Sequence, residues 1–461
     1  MKYFKLIIVI IFTFFYFSCE KYLDIKSESQ QVFIKTSKDC QAVLDNYSVL
    51  NIDYPTDGEA SAGDYYLTDA SYLAPARTQE DRGIYTWQST VARNLANTQW
   101  LPCYFKIYNT NLILEALNKL DDNPTQSTID GIRGSALFYR SFSYWQLAQL
   151  YAAPYSLSSA NTELGIPLRM SSDINEKSNR GTVKQLYDLI ISDLREASLL
   201  LPLTSSIASR PSQAAAHAML ARVYLSMEDY TQAQISASAA LNLKSDLIDY
   251  NTLNKTSITP FLRFNNEVIF HAVTIQSQLL VGGTTAINAA KIDPLLYASY
   301  SSNDLRKTIF FKPVVGTPNG FAFTGNYEPA NNGTLFIGLT VDELYLIRAE
   351  CSARTGNITQ AMSDLNTLLR TRWITGSYVD MTANNSDDAL IKILLERRKE
   401  LLLRGLRWTD LRRLNKDPKF AITLTRNVQG TNYTLSPNDL RYTLLIPFEV
   451  IVNGGLTQNS R

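Results

Sequence analysis

The sequence predicts a mostly α chain: a tetratricopeptide-like helical-repeat scaffold interrupted by long, loop-rich insertions. Three observations predict it. The segments AMLARVYLSMEDYTQAQISASAAL (218–241) and LYLIRAECSARTGNITQAMSDLNTLL (344–369) share one helix–turn–helix rhythm. Apolar residues recur at helical spacing through 100–151 and 183–201. The stretches 45–99 and 250–335 are instead rich in Asn, Ser, Thr, Gly, Pro and Tyr, with few helical periods.

The N-terminus comes first. Lys2 and Lys5 precede an apolar run, Leu6–Phe17. That run is too short to span a hydrocarbon core of about 30 Å, so it reads as an export signal. Cys19 follows where a bacterial lipoprotein is cut and acylated. Of the three residues before it, Tyr16, Phe17 and Ser18, only Ser18 matches the usual small-residue pattern. The reading is a lipoprotein signal peptide over 1–18 and a single mature domain over 19–461. The alternative is an ordinary signal cut farther on, which leaves Cys19 a plain thiol. Residues 20–40 are polar and read as a tether.

The scaffold is expected over about 100–250 and 340–415. Ile107, Leu112, Ile113, Leu117 and Leu120 mark a first helix, and Asp121-Asp122-Asn123-Pro124 breaks it. A second helix, dense in aromatics, is expected from about Ile129 to Leu150. Thr182 reads as an N-cap and Pro202 as a stop, with Pro211 in the first turn of the next helix. In the two repeat units Ala221 matches Ala349, Asp229 matches Asn357, Tyr230 matches Ile358 and Ala233 matches Ala361. Small residues at these places let paired helices approach closely. EVIFHAV (267–273) alternates and is expected as a strand.

Bulk composition excludes some functions. Lys plus Arg total 44 and Asp plus Glu 43, a net charge of +1, so there is no broad field to hold nucleic acid. The basic run LLERRKELLLRGLRWTDLRRL (394–414) carries Glu396, Glu400 and Asp410 at helical spacing and reads as an ion-paired structural helix. His217 and His271 are the two histidines, and both read as structural. No HExxH, GxSxG or Walker A pattern occurs, and no CxxC, so no catalytic residue, metal site or cofactor is predicted. The disulfide state of Cys40, Cys103 and Cys351 stays open. What stands out is 26 tyrosines. Tyrosine suits amphipathic binding surfaces as well as helix contacts.

Several segments, in order, resemble the SusD/RagB family of outer-membrane nutrient-binding lipoproteins. They are CEKYLDI (19–25), RGSALFYRSFSYWQLAQLYAAPY (133–155), GIPL (165–168), the two repeat units, ERRKELLLRGLRWTDLRRL (396–414) and LLIPFEVIVNGGLTQN (444–459). Two departures are Leu403-Arg404 before Gly405, where the family often has an aromatic and Glu, and Gly454-Gly455, where Asn-Pro is usual. The resemblance implies a surface-exposed protein anchored to the outer membrane through an acylated Cys19. It implies a glycan-binding subunit, not an enzyme, that captures oligosaccharides and hinges closed to deliver them to a SusC-like TonB-dependent transporter. A peptide-binding subunit of a RagAB-like importer is the alternative, and a surface glycoside hydrolase a weaker one. Sugar recognition needs flat apolar faces and polar partners for hydroxyls. Candidate platforms are Tyr65, Tyr66, Tyr72 and Trp87 in the first insertion, and Tyr297, Tyr300 and Tyr327 in the second. Candidate hydroxyl partners are Asp64, Asp69, Arg77 and Asn326. Trp100 precedes a helix and is assigned to the core.

Overall fold

A computed structural model describes residues 34–95, 99–283 and 290–461. The signal peptide and Cys19 lie outside the described residues. Helix α1 (Ser37–Leu44) takes up the end of the stretch expected as a tether, and the first insertion holds short helices α2 (Tyr47–Leu50) and α3 (Asp57–Ser61), strand β1 (Tyr65–Tyr66), and helices α4 (Asp69–Tyr72) and α5 (Gln79–Tyr85). The scaffold begins with α6 (Trp100–Ala116) and α7 (Gln126–Tyr151). A hairpin of β2 (Leu164–Pro167) and β3 (Arg180–Thr182) leads into α8 (Val183–Leu200), α9 (Gln213–Ser226) and α10 (Tyr230–Leu243).

The second insertion carries β4 (Val268–Phe270), β5 (Lys291–Ile292), α11 (Pro294–Ala298), α12 (Arg306–Ile309), β6 (Phe311–Pro313) and β7 (Phe321–Phe323). It ends at β8 (Leu339–Thr340). The scaffold resumes with α13 (Val341–Arg354), α14 (Ile358–Arg370), α15 (Ser386–Glu400) and α16 (Arg407–Leu414). A hairpin of β9 (Leu424–Val428) and β10 (Thr431–Leu435) and the short α17 (Phe448–Gly454) complete it.

Local signals explain the helix ends. Thr182 caps α8, accepting from the Gln185 amide at 3.1 Å while Gln185 returns the bond to the Thr182 amide at 2.9 Å. Pro211 lies just outside α9, because Ser212 takes the cap and accepts from the Ala215 amide. The aromatic helix starts at Gln126, capped by Thr125, three residues before the position its apolar pattern marked.

The repeat correspondence holds in detail. Asp229 caps α10 by accepting from the Gln232 amide, and Asn357 caps α14 by accepting from the Gln360 amide, both at 3.1 Å. The residue before each cap is left-handed: Glu228 at φ 64° and Gly356 at φ 85°. Ala221, Ala233, Ala349 and Ala361 are all fully buried. In space α10 packs directly on α13, so the two units are neighbours and the whole second insertion is looped out between them. The insertion leaves and returns at one place, where β4 pairs antiparallel with β8 (Val268 opposite Thr340). The strand expected in 267–273 is therefore the clasp at its base.

The two insertions meet through β1 and β5, with Tyr65 opposite Ile292 and Tyr66 opposite Lys291. They share a hydrophobic core of their own, built largely of Tyr, Phe and Leu, beside the larger core of the helical stack. The basic run expected as one helix is two, α15 and α16, because Leu403 (φ 54°) and Gly405 (φ 73°) turn the chain between them. Cys40, Cys103 and Cys351 are free, buried thiols.

Gly356 gives the first prediction. A Cβ there meets no atom within 4 Å, so Gly356→Ala introduces only the left-handed backbone penalty. The expected cost is about 1–2 kcal/mol, read as a lower urea midpoint at unchanged m-value.

Candidate functional site

The sequence-predicted residues divide by burial. Tyr65, Trp87 and their neighbour Tyr85 surround the Arg426 guanidinium, whose carbon lies 5.1, 4.7 and 3.9 Å from the three ring centroids. Arg426 also donates to the carbonyls of Ala60, Ala62 and Tyr85. The Tyr65 hydroxyl donates to the Ala60 carbonyl at 2.7 Å, and Trp87 Nε1 to Ser61 at 2.9 Å. Tyr72 packs on Tyr85, and Arg77 donates to the Ser71 carbonyl. These side chains hold the first insertion together from inside.

The same is true in the second insertion. The Tyr300 hydroxyl donates to the Lys399 carbonyl at 2.8 Å. Tyr327 lies under the Arg404 guanidinium at 3.5 Å and bonds to Glu267. Asn326 ties Thr334 and Phe336. Asp64 is buried against Arg398 at 2.7 Å, which fixes β1 to α15. Tyr66, Asp69 and Tyr297 are the predicted residues that reach the surface. Asp69 accepts from the Gln429 amide, and Tyr297 stacks on Phe321 at 3.8 Å.

Beneath these residues lies a continuous ion network. Arg306 pairs with Asp304, Glu396 and Glu400; Arg372 with Glu400 and Glu267; Lys399 with Asp304 and Glu396; and Arg404 with Asp342. Most partners of the basic run thus lie on other elements, not one turn away on its own helix. Arg413 pairs with Glu350 of α13, and Arg412 donates to carbonyls at the end of α7. With these cations in the core, the run offers no surface to nucleic acid. His271 is buried between Tyr47 and Glu328.

A groove of about 750 Å³ lies elsewhere. Its floor is the first half of α6: Trp100, Tyr104 and Tyr108. One wall is the connection between β2 and β3, with Arg169, Asn175 and Lys177. The other wall is α17 and the residues after it, with Glu449, Val452 and Asn453. Trp100 is buried as expected, stacked on Tyr104 at 4.8 Å and edge-on to Tyr151, yet it also lines the groove. Leu101 and Phe105 of α6 are about half exposed beside it.

Both walls are built, not draped. Arg169 donates to the carbonyls of Asp173 and Glu176 and to Ser178 Oγ. Asn111 Nδ2 donates to the carbonyls of Arg169 and Ser171. Asn111 is itself held by Arg140, which pairs with Asp193 at 2.7 Å. The Tyr104 hydroxyl donates to the Pro167 carbonyl at 2.7 Å. On the far side Gln458 bonds both the amide and the carbonyl of Ile446, and Asn459 donates to the carbonyls of Tyr151 and Leu444. An aromatic floor with polar walls provides flat apolar faces and hydroxyl partners together. The sequence carries one signal for this floor: aromatics at 100, 104 and 108, four residues apart on a helix.

Comparison with known proteins places the geometry in context. The family described as "Starch-binding associating with outer membrane" (SusD-like) matches residues 21–225. The SusD family (SusD_RagB) matches 341–459, and together the two cover more than half of the chain. SusD-like protein P2 of Formosa agariphila is 25% identical over 368 residues, 68% of this chain and 71% of that protein. A SusD superfamily protein of Bacteroides vulgatus superposes with a TM-score of 0.74 at 19% identity, covering 92% of this chain and 99% of that one. A SusD superfamily protein of Bacteroides thetaiotaomicron gives 0.70 at 22% identity, covering 92% and 100%.

The buried carboxyls set a pH dependence. Burial, with Asp64 nearby, pushes Glu59 up to about 8 against the Arg407 charge and the backbone amides of Arg407 and Gly405. Burial pushes Asp342 up to about 7 despite Arg404. Against burial, Arg413 and Arg354 hold Glu350 down to about 2. Raised groups bind protons more tightly folded than unfolded, so the stability they contribute is full below their unfolded values and is lost progressively as pH rises to about 7–8. A depressed group such as Glu350 contributes above its unfolded value, and that is lost as pH falls towards about 2. From these three groups stability should peak at about pH 4–5, with the decline on the alkaline side complete by about pH 8. Glu59→Gln should flatten the alkaline decline in urea midpoints measured from pH 5 to 9 while leaving the acid limb in place.

Proposed function

Because this chain belongs to the SusD/RagB family, we propose that it is a cell-surface glycan-binding lipoprotein that captures oligosaccharides and passes them to a SusC-like TonB-dependent transporter. The observation that carries the reading is the aromatic-floored groove between α6, the β2–β3 connection and α17. Tyr104 and Tyr108 supply ring faces, and Glu449, Asn453, Asn175 and Lys177 supply polar partners. Of the sequence-predicted set, Tyr66, Asp69 and Tyr297 are proposed as accessory contacts, and the buried members as supports for the loops that carry them.

Acylation of Cys19 would hold the protein at the outer membrane. Each buried CH₂ of an acyl chain adds about 0.8 kcal/mol, and two or more chains anchor stably. Among the described residues no helix is long and apolar enough to cross a membrane. Tethering beside a transporter keeps a captured ligand at high effective concentration over the pore.

A peptide ligand is the second reading. The exposed apolar side chains Ile174 and Val452 at the groove favour it. Calorimetry on the detergent-solubilised full chain against glycan and peptide panels separates the two. Glycan binding that weakens at least tenfold in Tyr108→Ala supports the reading. Peptide binding alone overturns it, and release of reducing sugars from a polysaccharide would make the chain an enzyme. For the anchor, radiolabelled palmitate should enter the wild-type chain and not Cys19→Ala, and a TonB-dependent transporter should co-purify with the former.

A further inference from the structure

Resting on the glycan reading of the groove, we infer that its ligand is a neutral glycan in an extended, β-1,4-linked conformation, lying along α6 with consecutive rings over Tyr104 and Tyr108. Four residues of helix rise about 6 Å and bring side chains back to the same face. The two tyrosines are therefore one turn apart on a straight axis. That step is comparable to the advance of one pyranose in an extended chain.

Each ring is held in place by a neighbour. Tyr104 stacks on Trp100 at 4.8 Å and an interplanar angle of 28°, and its hydroxyl is tied to Pro167. Tyr108 stacks against Phe105 at an interplanar angle of 14°. Tyr104 is thus fixed before ligand arrives, and Tyr108 lies one helical turn beyond it. A helical α-1,4 glucan advances less than this step from one ring to the next. An extended β-1,4 chain advances by about one such step per ring.

Charge defines the rest. Arg169 and Lys177 line the groove together with Glu176 beside them and Glu449 on the other wall, two cations and two anions. The Arg169 guanidinium already donates to main-chain carbonyls and Ser178. The groove therefore has no surplus charge to reward a uronate or sulfate ester, and its exposed amides, Asn175 and Asn453, suit neutral hydroxyls.

The test is calorimetry on the full chain with cellohexaose, mannohexaose, xylohexaose and maltohexaose. At least one of the first three should bind, at least tenfold tighter than maltohexaose. Affinity for it should rise from disaccharide to tetrasaccharide and fall at least tenfold in Tyr108→Ala, with thermal unfolding unchanged. Maltohexaose bound as tightly as the extended hexaoses, or a Tyr108→Ala variant of undiminished affinity, overturns this inference and leaves glycan capture standing. Peptides bound with no hexaose bound overturn both.

Discussion

The structure depends on burying arginines of the 396–414 segment against carboxylates and carbonyls that other elements supply. A helical stack covers only its own faces. Two long excursions of irregular chain must be held against it, and an irregular chain carries many carbonyls that no ladder or helix uses. Glu400 solves part of this by sitting between Arg372 and Arg306. Glu267, beside β4, joins Arg372 to the Ile248 amide and to Tyr327. Taking such charges out of water costs several kcal/mol per ion, repaid only where geometry is complete. The network therefore acts as a register: the insertion fits in the one position where each guanidinium meets its partners.

That network also carries a charge imbalance. Around Arg306, Arg372, Lys399 and Arg404 lie five carboxyls: Asp304, Glu396, Glu400, Glu267 and Asp342. Asp342 is the one whose partner, Arg404, is distant at 3.5 Å, and it is the one driven towards the neutral form. Holding a proton is the least costly way for a core to tolerate a surplus acid.

Much of the scaffold was legible because repeats and caps are local. Asp229 and Asn357 are recognisable as equivalents from sequence, and each caps its helix with the same bond. The loops were legible as loops and no further. Composition says that a tyrosine lies in a polar, irregular stretch, but not whether its ring faces inward. Tyr65, Tyr300 and Tyr327 face inward because their hydroxyls answer buried acceptors, the Ala60 and Lys399 carbonyls and the Glu267 carboxylate, and because an arginine or lysine lies over each ring. Those cations come from residues 399, 404 and 426, far along the chain, so no local pattern reveals them. The groove escaped for a related reason. Trp100 does read as core, and only the folded chain brings Glu449 and Lys177 to its other side.

The placement of the groove follows from how the chain closes. Its three sides come from about 100–108, 167–178 and 449–456, and short-range geometry cannot bring these together. The C-terminal clasp does so: Asn459 reaches the end of α7 at Tyr151, and Arg180 of β3 donates to the Thr457 carbonyl and the Asn459 side chain. Tyr151 in turn packs edge-on against Trp100. The last residues, the hairpin and the aromatic floor are thus one mechanical unit. The second insertion, by contrast, leaves and returns at one clasp and is pinned to the scaffold by the ion network. A chain built this way can vary its loops while the groove keeps its shape, because the side chains that fix the groove belong to the scaffold and its closing segment.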